Sequence, residues 1–184
     1  MAELILGGQK SGKSRRAELL ARDWLAGDPA RDAVLIATGQ PYDDEMRARI
    51  ARHRLDRARR VPGLRTVEEP LQLAAAIAAH SAPGTLVVVD CLTLWLTNWL
   101  MPMSAAPRAG DPAAAIDALE AAVRSTRGPV LLVGNEIGLG VIPLGREVRQ
   151  FVDALGGLNQ RMAAACSRVT LMAAGLPLVL KDSG

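Results

Sequence analysis

Short apolar runs alternate along the chain with longer stretches in which apolar positions recur every three or four residues. Six runs read as strands: residues 3–6 (ELIL), 33–38 (AVLIAT), 85–90 (TLVVVD), 129–134 (PVLLVG), 168–172 (RVTLM) and 177–181 (PLVLK). The first four are continuous rather than alternating, the pattern of parallel strands covered on both faces. Helical stretches lie between them, at roughly 12–26, 43–60, 70–80, 92–101, 112–127 and 145–166. Strand–helix alternation of this kind predicts a three-layer α/β fold with a mainly parallel sheet. Only AAGL (173–176) joins the last two strands. So short a link cannot make a crossover, and the two are expected to pair as an antiparallel hairpin.

The longest apolar stretch, residues 85–101, is 17 residues long and carries Asp90 and Asn98. It is too short and too polar at its centre to span a bilayer, and reads as a buried strand running into a helix. A length of 184 residues argues for one domain over 1–184 with a single sizeable core. The N-terminus enters a strand directly and shows no signal peptide. Cys91 and Cys166 lie far apart in apolar surroundings, outside any Cys-x-x-Cys pair, and read as reduced, buried thiols, in keeping with the cytoplasm. The formal net charge of +3 is too small to imply nucleic-acid binding. MPMSAAPRAGDP, residues 101–112, is rich in Pro, Gly and small residues and reads as a surface loop.

The chemistry concentrates first at GGQKSGKS, Gly7, Gly8, Gln9, Lys10, Ser11, Gly12, Lys13 and Ser14. Gly7-x-x-x-x-Gly12-Lys13-Ser14 matches the phosphate-binding loop at every fixed position, between a strand and a helix as the motif requires. Glycines let the backbone wrap around phosphate oxygens, and the helix N-terminus adds partial positive charge. Lys13 is expected to reach the β and γ phosphates and Ser14 to ligate Mg²⁺. The plain alternative is a Gly-rich turn that happens to contain Lys. Asp90, closing a buried strand, reads as an acidic partner for the metal or as the N-cap of the following helix. The expected fold is a three-layer P-loop NTPase fold of the RecA-like kind, with the C-terminal antiparallel hairpin added.

The second informative stretch is DDEMRARIARHRLDRARR, 43–60, which begins with acids and ends with bases as a helix dipole prefers. Met46 and Ile50 are spaced i, i+4, and His53 follows on the same face. His53 is therefore expected to face protein, or a pocket in it, while the arginines face solvent or anions. A histidine on an apolar face reads as a satisfied core residue. Beside a triphosphate site and among arginines, it also reads as a nucleophile toward phosphorus.

Taken together, LILGGQKSGKSRRAE, IATGQPYDDEMRARIARHR, RTVEEP, VVVDCLTLWLTN, GNEIGLGVIP and GGLNQRMAAACSRVTLMAAGLPLVLK occur in one order over nearly the whole chain. In that order they resemble the bifunctional adenosylcobinamide kinase / adenosylcobinamide-phosphate guanylyltransferase family of cobalamin biosynthesis. The phosphate loop is shared by many families, whereas DCLTLWLTN and NEIGLGVIP are far more specific. The resemblance implies phosphorylation of adenosylcobinamide by ATP or GTP. It then implies transfer of GMP from GTP to adenosylcobinamide phosphate through a phosphoramidate on a histidine, which maps to His53.

The resemblance further implies that Gly7 to Ser14 hold the triphosphate. Ala37, Thr38, Gly39, Arg54, Leu55, Asp56, Arg57 and Glu68 are implied to line the nucleotide site, and Asp90 to match the family's acidic residue. Glu68 suits the N1–H and amino group of guanine, or else the ribose. Glu136 reads either as orienting the attacking hydroxyl or a metal water, or as a loop cap. A homotrimer is implied as well. The segment between His53 and Glu68 is a few residues longer than the family pattern, with Leu64 where an aromatic is usual. Two other classes compete: a single-activity phosphate-loop kinase in which His53 is dispensable, and a binding module that uses the arginines between Arg47 and Arg60.

Overall fold

The computed structural model describes residues 1–102 and 110–183, so part of the predicted 101–112 loop lies outside the described residues. The chain runs β1 (Ala2–Gly7), α1 (Lys13–Ala26), β2 (Asp32–Ala37), α2 (Asp44–Arg60), β3 (Arg65–Glu68), α3 (Leu73–His80) and β4 (Thr85–Asp90). It continues through α4 (Leu92–Leu100), α5 (Pro112–Arg124), β5 (Val130–Val133), α6 (Arg146–Ala165), β6 (Arg168–Ala173) and β7 (Leu176–Asp182). All seven strands form one sheet in the order β3-β2-β4-β5-β1-β6-β7. Every pairing is parallel except β6 with β7, the antiparallel hairpin that its short connection predicts.

Six strands and six helices fall where the hydrophobic pattern puts them. β3 is the exception: its sequence, RTVE, carries a single apolar residue and does not read as a strand. It survives as an edge strand because backbone pairing of Arg65–Glu68 with Val34–Ala37 needs no apolar side chain, and Arg65 adds an ion pair to Asp32.

Alternate residues of the central strands face two separate cores. Leu4, Leu6, Val87, Val89 and Leu132 pack with Trp95, Leu96, Leu155 and Leu158 of α4 and α6. Ile5, Leu35, Val88, Leu131 and Val133 pack beneath Ala17 and Ala21 of α1. Burial on both faces explains why these strands read as unbroken apolar runs. α2 lies on the α1 side and contributes little to either core. Its start is fixed by Asp43, whose carboxylate accepts the Met46 amide at 2.6 Å, with Asp44 and Glu45 following in the first turn. No helix among the described residues is long and apolar enough to cross a membrane.

Candidate functional site

The loop between β1 and α1 lies at the carboxyl edge of the parallel sheet, where α/β folds place ligands. Gly7 has φ of +150°, and a Cβ there would meet Met172 O at 2.4 Å and Ser11 Oγ at 2.6 Å. Gly12, at φ +100°, caps α1 without a side-chain bond, so the helix presents its first amides with no side chain over them. Gly8, Gln9 and Lys10 are exposed, while Ser11 and Lys13 are buried. Two neighbours brace the loop: Gly175 N donates to Ser11 O at 3.0 Å, and Glu136 N donates to Gly7 O at 3.1 Å. Lys13 Nζ bends back to Gly8 O at 2.5 Å and lies 3.4 Å from Ser11 Oγ. Burial lowers the lysine's pKa, opposed by the neighbouring Cys91 and Asp90.

β5 separates β1 from β4, and α1 crosses over it, so that Ser14 Oγ donates to Asp90 Oδ1 at 3.3 Å. Burial pushes the Asp90 carboxyl above the usual carboxylate range. The Ser14 hydrogen bond and the charges of Arg57, His53 and Lys13 act in the other direction. Asp90 thus gathers groups from α1 and α2. It is not the N-cap of α4, because that position belongs to Cys91. A hydroxyl and a carboxylate side by side are the hard oxygen pair that Mg²⁺ takes alongside phosphate oxygens and water. Ser14 and Asp90 therefore fit the ion. No cluster of three or more His, Cys, Asp or Glu able to hold a metal occurs among the described residues.

Ala37 ends β2 and sits opposite both Asp90 and Glu68 in the sheet. Thr38 is fully buried. Its hydroxyl donates to Cys91 O at 2.7 Å and accepts from Cys91 N at 2.9 Å. Its carbonyl takes the Asn98 amide at 2.8 Å. The Thr38 side chain therefore fixes the end of β2 against the residue after Asp90. A Cβ on Gly39 would approach Leu94 Cδ1 to 3.2 Å and Ile50 Cδ1 to 4.0 Å, so this small residue seats α2 against α4.

His53 departs from expectation. The stripe through Met46 and Ile50 is half-buried, but His53 is exposed, and the buried residue of the stripe is Arg57. Ile50 rests over Gly39 and Leu94. One turn further on there is no core to cover the imidazole, only the polar surroundings of Asp90, close enough for His53 to act on that carboxyl. The arginines do not all face solvent either. Arg57 is 7 % exposed; burial lowers its pKa, and Asp90 and Glu18 counter this. Arg60 pairs with Glu18, and Arg54 pairs with Glu68. Leu55 and Asp56 are exposed.

Lys13, Ser14, Asp90, His53 and Arg57 are therefore brought together, with Arg54 and Glu68 as a pair nearer the β3 edge. Glu18, 3 % exposed, belongs to this group and escapes the sequence reading, although an acid beside Ala17 on the apolar stripe of α1 is a visible signal. Glu136 accepts the Gly138 amide at 2.8 Å, the loop-capping alternative. The carbonyl of Asn135 takes the Asn159 amide at 3.0 Å. Cys91 and Cys166 are free and buried.

Residues 3–180 match the family model for cobinamide kinase / cobinamide phosphate guanyltransferase. The chain is 46 % identical to the bifunctional adenosylcobalamin biosynthesis protein CobP of Pseudomonas aeruginosa, over 98 % of each chain. It is 38 % identical to the corresponding CobU protein of Salmonella typhimurium, over 98 % of this chain and 100 % of that one. The fold is similar to that of the flagellar accessory protein FlaH from Methanocaldococcus jannaschii, with a TM-score of 0.51 at 10 % identity, over 98 % of this chain and 78 % of that one. It is also similar to a solved ATPase domain, with a TM-score of 0.55 at 12 % identity, over 99 % of this chain and 77 % of that one. These likenesses identify the architecture as a P-loop ATPase fold.

Proposed function

The chain belongs to the cobinamide kinase / cobinamide phosphate guanyltransferase family, and from that premise we propose how one phosphate loop serves both activities. The observation that carries the reading is the convergence of Lys13, Ser14, Arg57 and His53 on Asp90.

In the kinase step, ATP or GTP lies with its β and γ phosphates in the Gly7–Ser14 loop. The hydroxyl oxygen of adenosylcobinamide attacks the γ-phosphorus. The bond to the β-bridging oxygen breaks, the nucleoside diphosphate leaves, and the hydroxyl proton passes to solvent. Lys13 leaves its place on Gly8 O to neutralise phosphate charge. Ser14 and Asp90 would hold Mg²⁺, which would screen the phosphates from one another.

In the guanylyl step, GTP uses the same loop, and an imidazole nitrogen of His53 attacks the α-phosphorus. A P–N bond forms, the bond to pyrophosphate breaks, and Lys13 and the loop amides receive the departing charge. A phosphate oxygen of adenosylcobinamide phosphate then attacks the same phosphorus. The P–N bond breaks, adenosylcobinamide-GDP forms, and the imidazole is restored. Exposure of His53 suits this role, because the nucleophile must meet the nucleotide and then a bulky acceptor. Arg57 offsets charge on the reacting phosphate. Glu68 accepts from guanine or the ribose, for which it exchanges its pairing with Arg54. Ala37, Gly39, Leu55 and Asp56 line the nucleotide, with Thr38 holding Ala37 and Gly39 in place.

The whole chain acts as one cytoplasmic domain. It assembles as a homotrimer, for which the exposed Leu176, Leu178, Val179 and Leu180 of edge strand β7 offer an apolar contact face.

The test is His53→Asn. Incubation with α-labelled GTP alone should leave label on the wild-type chain after denaturation and none on the variant. Phosphorylation of adenosylcobinamide should persist. The linkage should be labile to acid and stable to base, as a phosphoramidate is. Labelled His53→Asn protein would sink the assignment.

A further inference from the structure

The loop joining β5 to α6 is the most exposed apolar segment of the described chain. Leu139, Val141, Ile142 and Leu144 are 82 %, 97 %, 77 % and 97 % exposed. Four large aliphatic side chains within six residues of one another do not stay in water without a reason, and such a patch marks a binding surface.

The loop is built into the site at its root. Glu136 N donates to Gly7 O at 3.1 Å, so the segment leaves directly from the first residue of the phosphate loop. Thr93 Oγ1 accepts the Asn135 amide at 2.8 Å and fixes the preceding residue. At its far end Arg149 holds the Pro143 carbonyl at 3.0 Å, folding the loop back on α6. Between loop and helix lies a cavity of about 480 Å³. Ile137, Val141, Ile142 and Pro143 line it from the loop, and Arg146 and Val152 from α6. That volume suits one edge or arm of a large ligand, the rest of which would lie over the exposed loop tip.

We infer that this loop and cavity seat the corrinoid acceptor. Val141 and Ile142 lie against an apolar face of the macrocycle, and Arg146 takes the phosphate of the arm in the second reaction. The inference rests on the kinase and guanylyltransferase reading above, which requires a broad macrocycle, apolar in its ring and amide-bearing at its rim, to bring its arm to the phosphate loop. A surface that begins at Gly7 and is apolar at its tip meets both needs. The charge matches as well. The acceptor of the second step is a phosphate ester, and the cavity is lined by Arg146 and Arg149 against the single carboxylate of Asp153. A second copy of the chain is the competing occupant. It is disfavoured because the loop is anchored on Gly7 of the phosphate loop, and because β7 offers a separate apolar surface.

The test uses the full chain carrying Val141→Ser together with Ile142→Ser, and separately Arg146→Ala. Equilibrium dialysis with adenosylcobinamide, and its KM in the kinase assay, should show binding weakened at least about tenfold in the double variant. KM for the nucleotide and labelling by GTP alone should stay unchanged, since neither involves the corrinoid. Arg146→Ala should raise KM for adenosylcobinamide phosphate more than for adenosylcobinamide. Unaltered corrinoid binding in the double variant would overturn the inference. So would a change in its oligomeric state on gel filtration, which would mark the loop as an interface between copies. Wild-type protein that binds adenosylcobinamide but takes no label from GTP would count against the His53 reading and leave this one standing.

Discussion

α2 is docked by charge more than by core, and Glu18→Gln tests this. Of the 17 residues in α2, Arg57 is the buried one, and the charges of Asp90 and Glu18 act on its guanidinium. Glu18 also pairs with Arg60, whose side chain is 34 % exposed against 4 % for Glu18. Glutamine keeps the shape of the acid and removes its charge. Stripping one partner from a fully buried ion pair costs about 3–5 kcal/mol. Solvent reaches Arg60, so the loss here should be smaller, about 2 kcal/mol. If helix docking bears that cost, the equilibrium constant for docking falls by roughly 30-fold, since 1.4 kcal/mol is about a factor of ten. Single-turnover labelling by α-labelled GTP should therefore slow, by up to about 30-fold where docking is close to balance. Phosphorylation of adenosylcobinamide by ATP, which needs no imidazole, should change much less. Glu18→Asp should restore part of the labelling rate. Equal losses in both reactions would refute the reasoning, as would a lowered melting temperature with labelling intact.

If both reactions discharge onto phosphates held by one loop, as proposed, Lys13→Ala should depress both by at least about 100-fold. Strong guanylyl transfer in a folded Lys13→Ala protein would require a second triphosphate site. Burial pushes the Cys91 and Cys166 thiols up to about 12. Both should therefore be protonated and inert to a disulfide reagent at about pH 8, and react only after unfolding in guanidinium. Rapid reaction of either thiol in the native protein would contradict their enclosure.

The parallel core is legible in the sequence because burial on both faces leaves no polar position in Val87–Val89 or Leu131–Val133. β3 is not legible for the opposite reason. An edge strand needs one partner and one covered side, so RTVE can be mostly exposed and still complete the sheet. The start of α3 shifts for a local reason. The Glu69 carboxylate takes the amides of Leu71 and Gln72 at 2.9 and 2.8 Å, making a turn, and the helix begins only at Leu73.

At the site, the phosphate loop is legible because its spacing is itself the chemistry: glycines at the close approach, and Lys13 and Ser14 at the helix start. The surroundings of His53 are not, because a helical period says which residues share a stripe and not where the support beneath the stripe ends. Here Ile50 rests on Gly39 and Leu94, the buried Arg57 lies in the field of two carboxylates, and His53 between them is exposed. Extending the stripe from Met46 and Ile50 predicts a covered histidine; a helix held down by a guanidinium leaves it open. The sign of that arrangement is Glu18. A carboxylate beside Ala17 and Ala21 on a buried stripe demands a cation, and α1 leaves that demand to its neighbour, since Arg16 of α1 turns instead to Glu3. Arg60 answers it from α2 by direct pairing, and the charge of the buried Arg57 acts alongside. Arg60, paired with Glu18, and Arg57, buried in the field of Asp90, belong to the same helix that carries the imidazole. The acid that looks out of place in α1 and the histidine that looks out of place in α2 are therefore two ends of one arrangement.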